Sequence, residues 1–132
     1  MKYNLSEITA VIQDRRTIAP EFFSDRKVPR EIVEKILNNA IWAPNHGMTQ
    51  PWRFKVFMGD SIAKFGEAHA ELYKASVNET DFDPGKYSKL KDRPLLSSVV
   101  IAICMKRNEA GKIPEIEELE AVACAVQNMY LT

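Results

Sequence analysis

Two short stretches hold the side chains best suited to do chemistry. The first is DRRT, residues 14–17, in which Arg15, Arg16 and Thr17 follow one another. Two guanidinium groups, a hydroxyl and nearby backbone N–H groups form the donor set that a phosphate monoester needs, because a guanidinium offers bidentate, charge-assisted hydrogen bonds. The same residues also read as a solvated helix C-terminus, where the helix dipole favours cations. The second stretch is APNHGMTQPWRF, residues 43–54. Asn45, His46 and Gln50 could surround a planar polar ligand there, with Trp52 as an aromatic wall, or the stretch could simply turn a helix into a strand. No neighbouring Asp or Ser makes a triad with His46. The only other histidine, His69, stands too far along the chain for metal-ligand spacing. Neither GxGxxG nor GxxxxGK[ST] occurs, so neither a Rossmann site nor a P-loop is supported.

Helices and strands of recognisable pattern must position these groups. Asn4 reads as a helix N-cap with Glu7 three residues on, and Leu5, Ile8, Val11 and Ile12 share one face up to Asp14. Pro29 suits the first position of a second helix, since its missing N–H would have had no partner there. That helix carries the apolar stripe Ile32, Val33, Ile36, Leu37, Ala40 and Ile41, pairs Glu31 with Lys35, and stops before Pro44. From Trp52 to Met58 the period becomes two, which predicts a strand. Gly59 and Asp60 then turn the chain. Ser61 reads as the cap of a helix bearing Ile62, Phe65, His69, Leu72 and Tyr73.

Residues 76–94 read as a long polar connection, with room for a short helix and with the greatest mobility of any segment. Residues 95–105 read as a strand buried on both faces. A last helix follows Pro114, with Glu115, Glu117, Glu118 and Glu120 toward its positive end. Ile116, Leu119, Val122, Ala123, Val126 and Met129 recur along it at helical spacing, and Ala121, Ala123 and Ala125 would let another helix approach closely. The order predicts a mixed α/β layer structure. Two strands make a poor sheet alone, so further strands must come from outside these residues or from a partner.

Composition bounds the rest. A chain of 132 residues is one domain in size, and 18 Lys+Arg against 18 Asp+Glu argues against a nucleic-acid module built on Arg15, Arg16, Arg26, Lys27 and Arg30. No apolar run is long enough for a membrane span, and MKYNLSEITA lacks the pattern of a signal peptide. Cys104 and Cys124 lie in apolar stretches without CxxC spacing and read as buried free thiols of a reducing compartment. The expected location is the cytoplasm.

An Arg-Arg-Thr after the first helix, a Pro-started amphipathic helix, and A-P-x-x-x-x-x-Q-P-W-x-F leading into a strand together resemble the FMN-dependent nitroreductase family. RPLLSSVVIAI is similar to that family's buried strand, and EIEELEAVACAVQNMYL to its long core helix. The A-P-x-H form of the loop resembles the small, minimal branch of the family.

The resemblance implies an α/β (α+β) fold of α-β-α layers around a central mixed, largely antiparallel sheet. Residues 1–132 would be the N-terminal two-thirds of a single such domain, C-terminally incomplete. It implies a homodimer with FMN at the subunit interface. Arg15, Arg16 and Thr17 would hold the FMN phosphate and ribityl chain. Pro44, Asn45 and His46 would reach the flavin of the other subunit, with Trp42 and Gln50 beside them. NAD(P)H would reduce the flavin, which would reduce a nitroaromatic, quinone or related acceptor, and no side chain is named as catalytic. Thr17 stands where many members have Ser, and Met48 where many have Asn. A dimerising remnant of the fold that binds no flavin is the other expectation the sequence allows.

Overall fold

The computed structural model describes residues 3–132; Met1 and Lys2, on which the reading of the N-terminus partly rests, lie outside the described residues. Five helices and two strands follow in the order α1 (Leu5–Asp14), α2 (Arg30–Ala40), β1 (Trp52–Met58), α3 (Asp60–Ser76), α4 (Pro84–Asp92), β2 (Val99–Met105) and α5 (Glu115–Tyr130). Single 3-10 turns occupy Pro20–Phe22, Glu79–Asp81 and Arg93–Leu96, and a tight turn with left-handed backbone at Gly47 and Met48 occupies His46–Met48. The strands pair as a two-stranded antiparallel sheet, and beyond its end Lys106 N–H donates to the Pro51 carbonyl at 2.8 Å.

The chain separates into two compact units. The first comprises residues up to Thr17 with Pro29–Lys55 and Ile103–Thr132; the second comprises Ile18–Val28 and Val56–Ala102. In the first unit α2 packs on α5. Ala40, Ala43, Trp52, Ala121, Val122 and Ala125 form its buried core, and Phe54, Met105 and Met129 pack against it. Alanines at the crossing let the two backbones come close. Asn128 Nδ2 then donates to the Asn39 carbonyl at 3.2 Å, and Asn39 Nδ2 to Thr132 Oγ1 at 3.1 Å, which ties the ends of the two helices together.

Local signals set most of the element ends. Asn4 caps α1, its Oδ1 accepting from Ser6 N–H at 2.9 Å. Pro29 is the N-cap of α2 rather than its first helical residue, and the exposed pair is Arg30–Glu34 at 2.8 Å instead of Glu31–Lys35. The i,i+4 geometry is the expected one, one residue earlier. α1 buries none of its residues: Leu5 is 72% exposed and Ile12 53%. Its apolar stripe is real, but this chain gives it little cover.

In the second unit α3 packs on α4, and both meet the turn at Arg93–Leu96. The connection expected to be loose is largely helical. Polar staples hold it in place of an apolar stripe: Tyr87 donates to Glu71 at 2.5 Å, Lys91 pairs with Glu67 at 2.9 Å, and Arg93 pairs with Glu21 at 3.0 Å. The Glu71 hydrogen bond raises the Tyr87 pKa, and the Glu67 hydrogen bond raises that of Lys91. Glu21 is lowered, first by a backbone hydrogen bond and then by Arg93. Asp83 caps α4, and the Tyr73 and Phe82 rings stack at 5.9 Å.

Close approach of α3 to α4 depends on Gly66, where an added Cβ would stand 2.2 Å from the Lys91 carbonyl oxygen. A backbone atom cannot swing aside as a side chain would. Gly66→Ala is therefore expected to destabilise the chain by about 3 kcal/mol, read as a lower urea midpoint. A midpoint equal to wild type would contradict this packing.

Three further expectations are corrected. Ser61 does not cap α3; Gly59 holds that position at φ +55°, while Ser61 Oγ donates to the Met58 carbonyl and accepts from its N–H. β2 starts at Val99, because Pro94, Leu95 and Leu96 form a 3-10 turn, and its faces are half-buried to exposed rather than buried. Cys104 and Cys124 are free, as expected, but exposed, since each lies outside the packed face of its element.

Candidate functional site

All eight residues singled out in the sequence belong to the first unit. The DRRT stretch leaves α1 at Asp14, where Arg15 turns to extended backbone at ψ 127°. Arg15 is half-buried, its guanidinium carbon 5.7 Å from the centre of the Tyr130 ring of α5 and its Nη1 donating to Thr17 Oγ1 at 3.3 Å. Arg16 folds back, Nη1 donating to the carbonyls of Gln13 at 2.5 Å and Arg15 at 2.8 Å. Its side chain thus serves carbonyls at the end of α1, whose C-cap is Arg15, in keeping with the helix-terminus reading of this stretch. A guanidinium has five donors, so both arginines keep N–H groups for an oxyanion.

The loop after α2 is built against backbone preference. Gly47, Met48 and Gln50 have φ of +60°, +54° and +45°. A left-handed conformation costs a non-glycine residue about 1–2 kcal/mol, so Met48 and Gln50 both carry strain. Between them, the buried Thr49 hydroxyl oxygen has no hydrogen-bond partner. Backbone strain of this kind tends to gather at functional segments, which makes the loop a candidate site. Asn45 holds the loop together, its Oδ1 accepting from Gln50 N–H at 2.9 Å and its Nδ2 donating to the Ala43 carbonyl at 3.4 Å. A Cβ at Gly47 would also press on Ile113 Cδ1 at 3.2 Å. Gly47→Ala is expected to lower stability by about 1–2 kcal/mol, seen as a reduced urea midpoint at unchanged slope; an unchanged midpoint would contradict it.

His46 Nδ1 lies 2.5 Å from Glu117 Oε2 of α5. Pro44, Asn45 and His46 line a cavity of about 510 Å³ together with Glu117, Glu120, Ala121 and Cys124. That volume falls within the range of small-molecule sites. Trp42 is 84% exposed and, with Asn39, Asn128, Leu131 and Thr132, borders a second, shallower depression. The exposed Gln50 offers its carbonyl to Arg53 Nη1 at 2.9 Å.

Sequence reasoning missed the groups that brace this loop. Glu118 is only 1% exposed and accepts from Arg107 Nε at 2.5 Å and Asn108 N–H at 3.0 Å. Arg107 also bonds Glu115 at 3.0 Å and the Ile113 carbonyl at 2.9 Å. This network fixes the start of α5, and with it Glu117, to the segment of Arg107 to Ile113 that precedes it. A signal existed: position 118 shares a helical face with Ala121, Val122 and Ala125. Among the described residues no group of three His, Cys, Asp or Glu side chains could hold a metal ion, and no helix is long and apolar enough to cross a membrane.

Known proteins share this fold. The chain superimposes on the nitroreductase-like family protein of Bacillus cereus with a TM-score of 0.77 at 27% identity, over 99% of this chain and 65% of that one. An FMN complex of a nitroreductase-type protein from Desulfovibrio desulfuricans matches at 0.67 and 26% identity, over 98% and 62% of the two chains. Helices on a small antiparallel sheet are thus the class of fold. In sequence, the Escherichia coli (strain K12) protein YdjA, an NAD(P)H nitroreductase by name, is 28% identical over 101 residues, which is 76% of this chain and 53% of that protein. The chain therefore spans about half the length of this curated relative. The model of the nitroreductase family matches residues 12–132. The chain belongs to the nitroreductase family.

Proposed function

We propose that this chain is the N-terminal part of an FMN-dependent oxidoreductase that carries reducing equivalents from NAD(P)H to a nitroaromatic, quinone or related acceptor, and that it works as a homodimer. The observation that carries this reading is the clustering of all eight candidate residues on one compact unit, whose loop is strained at Met48 and Gln50. The donor set fits the cofactor. Arg15, Arg16 and Thr17 offer two guanidinium groups and a hydroxyl to a phosphate and a polyol chain. Pro44, Asn45 and His46 contribute to the flavin site of the other subunit, and Trp42 and Gln50 border it. Bound flavin supplies the redox chemistry, while the side chains bind it, orient it and keep water from it.

Apolar side chains support the dimer. In the first unit Leu5, Val11, Ile41, Ile116, Leu119 and Tyr130 are all exposed. A second copy that covers these side chains would remove their apolar surface from water. Residues 1–132 are then part of a single domain, and its remaining strands extend the two-stranded sheet.

The test is anaerobic. NADH or NADPH added to the FMN-loaded chain should bleach the flavin absorbance, and a nitroaromatic should restore it. Flavin that stays oxidised with both nicotinamides would count against the oxidoreductase reading.

A further inference from the structure

His46 sits in a loop that its backbone helps to turn, its carbonyl accepting from Thr49 N–H at 3.4 Å, while other residues supply the side-chain contacts. Asn45 ties Ala43 to Gln50, and Gly47 abuts Ile113. The hydrogen bond recorded for the His46 ring is the one from Nδ1 to Glu117 Oε2, at 2.5 Å. Both side chains remain partly open to solvent, 63% for His46 and 38% for Glu117, so the pair lies at the cavity mouth rather than in the core.

An ionised carboxylate only accepts hydrogen bonds. The contact therefore assigns the proton to Nδ1 and turns Nε2, on the far side of the ring, away from Glu117. The state of one ring nitrogen is set in this way by the hydrogen bond the other nitrogen makes. Glu117 is itself held firmly. Its neighbour Glu118 is buried against Arg107 and Asn108, which fixes the first turn of α5 to the segment that leads out of β2. The other titratable groups lining this cavity are Glu120 and Cys124. Neither is recorded as bonded to the imidazole.

We propose that Glu117 is the positioning residue of the site: it fixes the tautomer and the ring orientation of His46, so that Nε2 is presented to the bound ligand. The ligand part of this proposal rests on the flavin reading above. With the ring neutral, Nε2 is an acceptor for an N–H or O–H of the ligand. A planar heterocycle that carries an N–H donor on its edge is the ligand class that such an acceptor suits. Glu117 need not touch it.

Nitrogen-15 NMR of histidine-labelled chain tests the tether without any ligand. At a pH where the ring is neutral, wild-type His46 should carry its proton on Nδ1. Glu117→Ala should move most of it to Nε2, whereas Glu120→Ala, which removes a carboxylate from the same cavity, should leave the Nδ1–H form in place. A wild-type ring protonated mainly on Nε2, or a tautomer indifferent to Glu117→Ala, would overturn the proposal. In a second measurement Glu117→Ala should weaken FMN binding about tenfold at an unchanged thermal midpoint. Equal affinity in the two proteins would overturn the ligand half of the proposal. If wild type binds no FMN, the flavin reading fails and takes the ligand half with it, while the NMR result still decides whether Glu117 positions His46.

Discussion

Arg15→Ala should weaken FMN binding by roughly a hundredfold, about 2.7 kcal/mol. The size follows from what Arg15 alone provides. Hydrogen bonds to a charged group contribute about 1.5–3 kcal/mol, and a guanidinium can give two of them to one phosphate. Arg15 is pre-placed for this by its position over the Tyr130 ring and beside Thr17 Oγ1. Arg16→Ala should have a smaller effect, since its Nη1 already serves the Gln13 and Arg15 carbonyls. Arg15→Lys should fall between wild type and alanine, because an ammonium keeps the charge but not the fork. Fluorescence titration of FMN into the three variants reads all of this. Loss of the contact with Tyr130 should cost the fold no more than about 1 kcal/mol, so a thermal scan separates weak binding from unfolding. Equal affinities for wild type and Arg15→Ala would remove Arg15 from the site.

The second large effect is on stability. Arg107→Leu leaves Glu118, 1% exposed, with the Asn108 N–H as its remaining donor. Removing one partner of a buried ion pair costs about 3–5 kcal/mol, because the other charge stays behind uncompensated. The lower end, about 3 kcal/mol, is expected here: the Arg107 side chain is 39% exposed, so water can reach part of the space it vacates. Against a typical total of about 5–15 kcal/mol, that is a large share. The double variant Arg107→Leu with Glu118→Leu should regain most of the loss, since no charge is then stranded. Urea unfolding measures both. A double variant as unstable as the single one would show that the pair contributes by packing rather than by charge.

The contrast between these two arginines shows what the sequence made legible. DRRT could be read as a donor set because its residues are adjacent. The helix starts at Pro29 and Pro114 and the alternation from Trp52 were equally local, and the elements appear there within a residue or so. α4 was hard to see because it is held by Tyr87–Glu71 and Lys91–Glu67 bonds rather than by an apolar stripe. The cysteines were misjudged for a related reason. An apolar neighbourhood predicts that a segment packs, but not which of its faces is covered. The same gap explains the exposed stripe of α1 and the half-open faces of β2. His46 and Glu117 lie 71 residues apart, and no periodicity joins them. Only the fold brings the loop to the first turn of α5. The family resemblance added Trp42 and Pro44 to the candidates, and the fold places Pro44 with Asn45 and His46 at one cavity and Trp42 at another depression.

One titration tests the central claim most directly. FMN is added to the purified chain while flavin fluorescence and sedimentation are followed together. The account predicts saturable binding of one flavin per chain to a dimer, with a thermal midpoint that rises with FMN concentration as mass action requires. A chain that neither quenches nor shifts the flavin signal, and whose thermal midpoint FMN does not move, would contradict it.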